Sequence, residues 1–336
     1  MDREVVVSVN AHQLTHWIPI RIYWKEHRPL VDWCWVGTKR FSEPFLDHTI
    51  DSCLRLPFSN LFRPQTTIEM LRERYTIEPG LQPRGFIFHM SRCGSTLVSQ
   101  MLASLPKSVV ISEASSIDSV LRAKFREPYI TDEQRADWLR WTVSALAQRR
   151  KGDEEHLFIK FGSWSVVDFP VISRAFPGVP WIFLYRDPVE VLVSQLAHRG
   201  AHMVPGGIEP ELFGMRRDEV FEMRPEEYCA RALARICEAA LQHHQSCAGM
   251  VINYNQLPDA MWSGVADFLG ADISDFAAET FARVAKLDAK NPGLGFESDS
   301  QAKQKRASEV VRVTAEKWLA PLYEQLETAR LRCSAA

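Results

Sequence analysis

Residues 86–100, FIFHMSRCGSTLVSQ, constrain the fold of this chain more than any other stretch. Phe86, Ile87 and Phe88 read as a buried strand, Arg92 and Gly94 fall in a short loop, and a helix follows from about Ser95 or Thr96. A strand, a glycine loop and a helix start, in that order, make an anion site. The first N–H groups of a helix have no internal acceptor, and the helix dipole favours negative charge beside them. Gly94 lets a ligand approach the backbone where a Cβ would intrude. Ser95 and Thr96 add hydroxyl donors, and Arg92 adds a planar, permanently charged fork. The same residues also fit a plain strand–turn–helix in which Ser95 is only an N-cap. A nucleoside triphosphate P-loop does not fit, because that motif needs a Lys where Ser95 follows Gly94.

From Arg84 onward strand and helix patterns alternate, which predicts an α/β fold with an open, doubly wound parallel sheet. Strands are expected at 86–90, 108–111, 157–161, 181–185 and 250–253. Helices are expected at 95–105, 116–126, 165–175, 187–198 and 225–245, with a long one opened by the capping signal at 131–134. Ligands of such sheets bind at the carboxyl ends of the strands. Ser91 to Thr96, Glu113, Lys160 and Arg186 all fall at such ends, so one crevice is expected to collect them. At 184–188 the chain reads LYRDP: Arg186 leaves a strand, Asp187 suits an N-cap and Pro188 suits the first helical turn. Ser194 follows Arg186 by eight residues, about two helical turns. A capped helix with a surface ion pair at Arg186 fits the same residues.

Taken together, the two motifs resemble those of the sulfotransferases that use 3′-phosphoadenylyl sulfate (PAPS). In that family a Lys or Arg, a small residue, a Gly and two hydroxyl residues follow a strand and bind the 5′-phosphosulfate. Here those positions are Arg92, Cys93, Gly94, Ser95 and Thr96. An Arg at a later strand end and a Ser eight residues on bind the 3′-phosphate, and here they are Arg186 and Ser194. Residues 254–257 (YNQL) and 262–270 (WSGVADFLG) also resemble the family's Tyr-x-x-Leu and a helix ending Phe-Leu-Gly, on the adenine and ribose side. Some members bring a late basic loop to the 3′-phosphate. Lys303, Lys305 and Arg306 fit that role or that of a solvated basic run. The resemblance covers about residues 84–330 and leaves 1–80 as a separate β-rich segment of unassigned role.

The resemblance implies sulfuryl transfer from PAPS to a hydroxyl or amine of a small-molecule or peptide acceptor, with 3′,5′-ADP leaving and no metal required. Arg92 is then catalytic as well as donor-binding. The aryl and steroid members place a Lys-x-His base after the third strand, but this chain reads Lys160, Phe161, Gly162. Glu113, 21 residues after Arg92, stands where tyrosylprotein and some bacterial members carry a Glu base. It also fits a cap on the next helix or a cation ligand. Cys93 in place of the commoner Ser, and Leu97 in place of an aromatic residue, depart from the pattern. Two other classes compete: a phosphotransferase on the same scaffold, and a non-catalytic nucleotide-binding or interaction protein.

Charge and composition narrow the partners. A net charge of −2 gives no electrostatic case for a nucleic acid polymer or an anionic membrane. No apolar run approaches the ~20 residues of a membrane span. Seven cysteines in no metal or disulfide spacing, after an N-terminus without a secretory pattern, point to packed thiols in a reducing cytoplasm. Near the N-terminus, alternation across Ile18–Trp24 and Val31–Val36 predicts a hairpin with Ile18, Ile20, Ile22 and Trp24 on one buried face. Its tryptophans fit a packed β layer or an aromatic ligand platform. A capped helix is expected within 40–56, and a mixed connector at 64–83. Residues 199–224, rich in Gly, Pro and charge, predict a long irregular lid carrying His202, with His198 just before it.

Overall fold

The computed structural model describes residues 10–246, 249–271, 273, 275–290, 295 and 299–333. Two sheets carry the strands. A small antiparallel sheet has the order β1 (Trp17–Lys25), β2 (Arg28–Trp35), β3 (Gln65–Thr67). The larger parallel sheet holds β4 (Pro83–His89), β5 (Ser108–Ser112), β6 (His156–Lys160), β7 (Trp181–Tyr185) and β8 (Gly249–Asn253). Its order is β5-β6-β4-β7-β8: from β4, the strand of the glycine loop, the chain goes to the edge strand β5, turns back through β6 and continues to β7 and β8. Strand order of this kind makes the α/β fold class anticipated from the alternating pattern.

Internal contacts divide the chain into two units, each discontinuous in sequence. The first holds the chain up to Arg84, Ser99–Lys160 and Pro170–Val179; the second holds Gly85–Val98, Phe161–Phe169 and the chain from Pro180. In the first unit β1 and β2 turn at Glu26 and His27, both at positive φ, as a two-residue hairpin with matching twist requires. The buried face is not the simple alternation anticipated. The register shifts between Pro19 and Arg21, so Ile18, Pro19 and Ile22 are buried while Ile20 and Trp24 are only half-buried. The connector after β2 contains β3 and the helix Glu69–Ile77, and the helix Leu46–Leu54 starts without a side-chain cap bond. β1 packs on the helices Ser115–Leu121 and Asp132–Leu146 of the same unit. Thr131 and Gln134 close the anticipated capping box at the start of the second.

In the second unit β4, β7 and β8 run parallel, pairing Phe86 with Trp181 and Trp181 with Gly249. Phe88 stacks on Phe161 with ring centroids 5.0 Å apart, and Phe86 meets Phe161 edge-on at 5.3 Å. Residues 199–224 are less irregular than their composition predicts. Turns of helix form at Ala201–Met203, Pro210–Phe213 and Arg217–Val220. Met203, Ile208, Leu212, Phe213, Met215 and Val220 are buried, and the first two turns pack on the helix Pro225–Ser246. Apolar residues spaced among the Gly, Pro and charges anchor the segment. Cys34, Cys53, Cys93, Cys229 and Cys237 are all buried. Cys247 and the side chain of Cys333 lie outside the described residues.

The last helix, Ala320–Cys333, fixes the carboxyl ends of β7 and β8 through one carboxylate. Glu327 Oε1 accepts from the Tyr185 hydroxyl at 2.6 Å and from Asn253 Nδ2 at 2.5 Å. Its Oε2 accepts from Arg330 Nη2 at 2.6 Å. Burial would raise the Glu327 pKa, but the bonds from Arg330, Tyr185 and Asn253 outweigh it and hold the carboxyl below its ordinary 4.5. A depressed carboxylate contributes stability that is present above pH 4.5 and is lost as pH falls through its folded value. Glu327→Gln is therefore expected to cost about 1.5–3 kcal/mol at neutral pH, the range for hydrogen bonds to a charged group. Urea unfolding at a series of pH values should show the gap between variant and wild type closing in acid below pH 4.5.

Candidate anion-binding cavity

Within the second unit a cavity of about 260 Å³ is lined by residues 92–97, Arg186, Ser194, Tyr254, Leu257, Pro258, residues 287–290, Asp299 and Lys303, with Ala285. Both sequence motifs therefore open onto one space. The loop after β4 takes an unusual path: Ser91, Arg92 and Gly94 have φ of 77°, 54° and 85°. Left-handed backbone is uncommon for Ser and Arg and persists only where surroundings impose it. Here His89 Nε2 donates to the Phe161 carbonyl at 3.1 Å and its Nδ1 accepts the Ser91 N–H at 3.0 Å, which fixes the tautomer. Gln195 Nε2 donates to Ser91 Oγ at 2.7 Å, and the Cys93 thiol donates to the Leu184 carbonyl at 3.1 Å. The buried Cys93 thus ties the loop to the end of β7, a positioning task its thiol meets as a small apolar side chain with a weak donor.

The helix Ser95–Ser104 begins at the cavity, so its first N–H groups face the space that Ser95 and Thr96 line. Arg92 Nη2 donates to the His198 carbonyl at 2.5 Å. The His198 carbonyl thus holds the Arg92 fork at the end of the helix Pro188–Ala197. Gly94 is required twice over. Its φ suits glycine, and an added Cβ would lie 2.6 Å from Leu257 Cδ1 and 3.1 Å from Tyr254 Cδ2.

Arg186 leaves β7 and is 4% exposed. Asp187 caps the helix that follows by accepting the Glu190 N–H at 3.0 Å, with Pro188 in its first turn. The Arg186 guanidinium donates through Nε to Glu190 Oε2 at 2.6 Å. Its Nη2 donates to Asp299 Oδ1 at 2.8 Å and to Ser300 Oγ at 3.0 Å. The Tyr254 ring stacks 4.0 Å from its central carbon. Burial would lower the Arg186 pKa, but Asp299 and Glu190 raise it above the ordinary value, so the charge is permanent. Lys303 Nζ pairs with Asp299 Oδ2 at 2.7 Å. Sequence reasoning missed Glu190 and Asp299. The i,i+4 spacings of Arg186–Glu190 and Asp299–Lys303 on helices were the available signal.

Glu113 belongs to the first unit, at the end of β5, with φ of 52°. Its N–H donates to the Lys160 carbonyl at 2.7 Å and its Oε1 meets Lys160 Nζ at 2.6 Å. Lys160 is 1% exposed, and the Phe45 ring lies 4.6 Å from its ammonium. Lys160, at the end of β6, thus holds Glu113 as an ion pair. His202 is buried, 3.1 Å from Ser163 Oγ and packed by Trp164 at 5.0 Å. Among the described residues no group of three or more His, Cys, Asp or Glu side chains is placed to hold a metal ion, and no helix is long and apolar enough to cross a membrane.

No protein-family model and no curated protein matches the chain. Among solved structures, a sulfotransferase domain from the curacin biosynthetic pathway is 17% identical, over 76% of this chain and 98% of that one, with a TM-score of 0.43. The sulfotransferase domain of the Synechococcus PCC 7002 olefin synthase is 16% identical, over 75% and 96%, with a TM-score of 0.40. A sulfotransferase from Alicyclobacillus acidocaldarius is 13% identical, over 74% and 96%, with a TM-score of 0.42.

Gly94→Ala is expected to destabilise by about 2–4 kcal/mol, combining backbone strain with overpacking. Gly178→Ala supplies the control: it has a φ of 76° but its Cβ meets nothing within 4 Å. Its cost should be near 1 kcal/mol. Urea unfolding of both variants isolates the steric part, and equal costs would mean that Leu257 and Tyr254 yield freely.

Proposed function

We propose that the chain is a PAPS-dependent sulfotransferase. One observation carries the reading: the loop Arg92–Thr96 and the pair Arg186 and Ser194, about ninety residues apart in sequence, line one cavity. A ligand with anionic groups at both ends of a nucleoside fits two such cationic points. The helix start at Ser95 and Thr96 takes the 5′-phosphosulfate, with Gly94 admitting it to the backbone. Arg186 and Ser194 take the 3′-phosphate, while Tyr254, Leu257 and Pro258 supply the apolar wall beside the adenosine. The buried cysteines fit a reducing cytoplasm.

The chemistry asked of the protein is alignment and charge stabilisation. An acceptor oxygen or nitrogen forms a bond to sulfur as the bond from sulfur to the bridging phosphate oxygen breaks. The electron pair leaves on that oxygen, where Arg92 stabilises it, and the acceptor's proton passes to a base. Glu113 is our choice of base. Its Oε1 lies 2.6 Å from the Lys160 ammonium, and a positioned carboxylate is a group that can accept a proton. The acceptor is a small molecule or a peptide side chain.

Arg186→Ala should weaken binding of 3′,5′-ADP by at least tenfold, since charge-assisted pairs are the strong ones. Adenosine 5′-phosphosulfate, without the 3′ group, should be far less affected. Calorimetric titration of both nucleotides decides it, and equal losses would remove Arg186 from the 3′ site.

Glu113→Gln keeps the shape and removes the basicity. Turnover of labelled PAPS with an extract-derived acceptor should fall by ~10²-fold or more, with 3′,5′-ADP affinity retained. Normal turnover in this variant would move the base elsewhere.

A further inference from the structure

The cationic edge of Arg186 is already occupied by carboxylates of the chain itself. Glu190 Oε2 lies 2.6 Å from Nε and Nη2, and Asp299 Oδ1 lies 2.8 Å from Nη2. Ser300 Oγ accepts from Nη2 at 3.0 Å and donates to Glu190 Oε2 at 3.0 Å. With Lys303 on Asp299, the cluster holds two positive and two negative side chains and sums to zero. A phosphate dianion brought to this edge would add two negative charges to a neutral cluster, with two carboxylates on the same guanidinium. Like charges at such distances repel strongly where solvent is scarce. One carboxylate must therefore give way.

The two are not equivalent. The Glu190 side chain is 10% exposed and sits on the helix that Arg186 precedes, where it also accepts from Ser300. The Asp299 side chain is 53% exposed and lines the cavity. Asp299 stands at the N-cap of the helix Ser300–Arg306 but makes no capping bond there, so leaving Arg186 strips no helix N–H of a partner. Solvent can receive its carboxylate at little cost, whereas uncovering Glu190 would strand a buried charge.

We propose that Asp299 is a specificity-determining residue of the donor site: an internal anion that holds the place of the 3′-phosphate and yields only to it. The proposal rests on the sulfotransferase reading above and deepens it. Because the carboxylate is tethered to the chain, its effective concentration at Arg186 is high, and weak or singly charged anions do not displace it. A nucleotide without a 3′-phosphate leaves the Asp299–Arg186 pair intact and gains nothing from it. A nucleotide that carries one exchanges phosphate for carboxylate, at an affinity lowered by the competition.

Calorimetric titration of wild type, Asp299→Asn and Asp299→Ala with 3′,5′-ADP and with adenosine 5′-monophosphate tests this. Both variants should bind 3′,5′-ADP more tightly, by about three- to tenfold, the worth of a partly exposed charge pair. Their affinity for adenosine 5′-monophosphate should equal that of wild type. Equal 3′,5′-ADP affinity in all three proteins overturns the proposal and leaves the sulfotransferase reading standing. An equal gain for both nucleotides also overturns it, since the effect would then not be tied to the 3′ group. If wild type and variants alike fail to prefer 3′,5′-ADP over the monophosphate, the sulfotransferase reading falls and the proposal with it. Melting temperatures measured alongside confirm that each variant is folded.

Discussion

A buried guanidinium cannot be left alone, and much of the second unit is arranged around that fact. Arg186 is almost fully enclosed, and a charge removed from water is tolerable only when paired and hydrogen-bonded. Two carboxylates, a hydroxyl and an aromatic face meet the requirement. They come from three places: the helix after β7, the segment after β8, and the late helix that Asp299 precedes. The guanidinium thereby fixes where distant segments lie, and the cavity is the space they leave between them. The order of causes runs from the strand end that buries Arg186, through the partners it demands, to the walls of the site.

Those elements that announce themselves locally were legible in the sequence. A strand followed by Arg92, Gly94 and two hydroxyl residues states its conformation in consecutive residues, and Arg186 with Ser194 states a helical spacing. Such patterns depend on neighbours along the chain, and the structure places both on the same cavity. The partners of Arg186 were not legible to the same degree. Asp299 reaches it across 113 residues, and no propensity encodes a contact at that separation. Glu113 and Lys160 face each other only because β5 and β6 pair with Ser112 opposite Lys160, a register known once the sheet is built. In the N-terminal hairpin the alternation was read correctly up to the bulge and then misassigned Ile20 and Trp24. One inserted residue shifts the faces, and composition does not reveal it. The stretch 199–224 misled for another reason: its glycines and prolines outweighed the sparse apolar residues that bury it.

Backbone conformation supplies a signal that neither motif nor composition carries. Six non-glycine residues among those described have positive φ. Glu26 and His27 turn the hairpin, and His16 precedes β1. The other three, Ser91, Arg92 and Glu113, follow β4 and β5. Strained residues that persist are held by their surroundings, as Ser91 is held by His89 and Gln195. That strain has gathered at two strand ends, where side-chain direction matters most in a fold of this class.

A single oxygen atom, Glu327 Oε1, receives both Tyr185 and Asn253. These residues immediately precede Arg186 and Tyr254, the stacked pair on the cavity wall. The two sides of that wall therefore share one hinge pin, set in a helix that does not touch the cavity. Each side is tied to the other through that pin, so a displacement of Glu327 would reach both. The geometry of recognition is to this extent kept by a residue that recognises nothing.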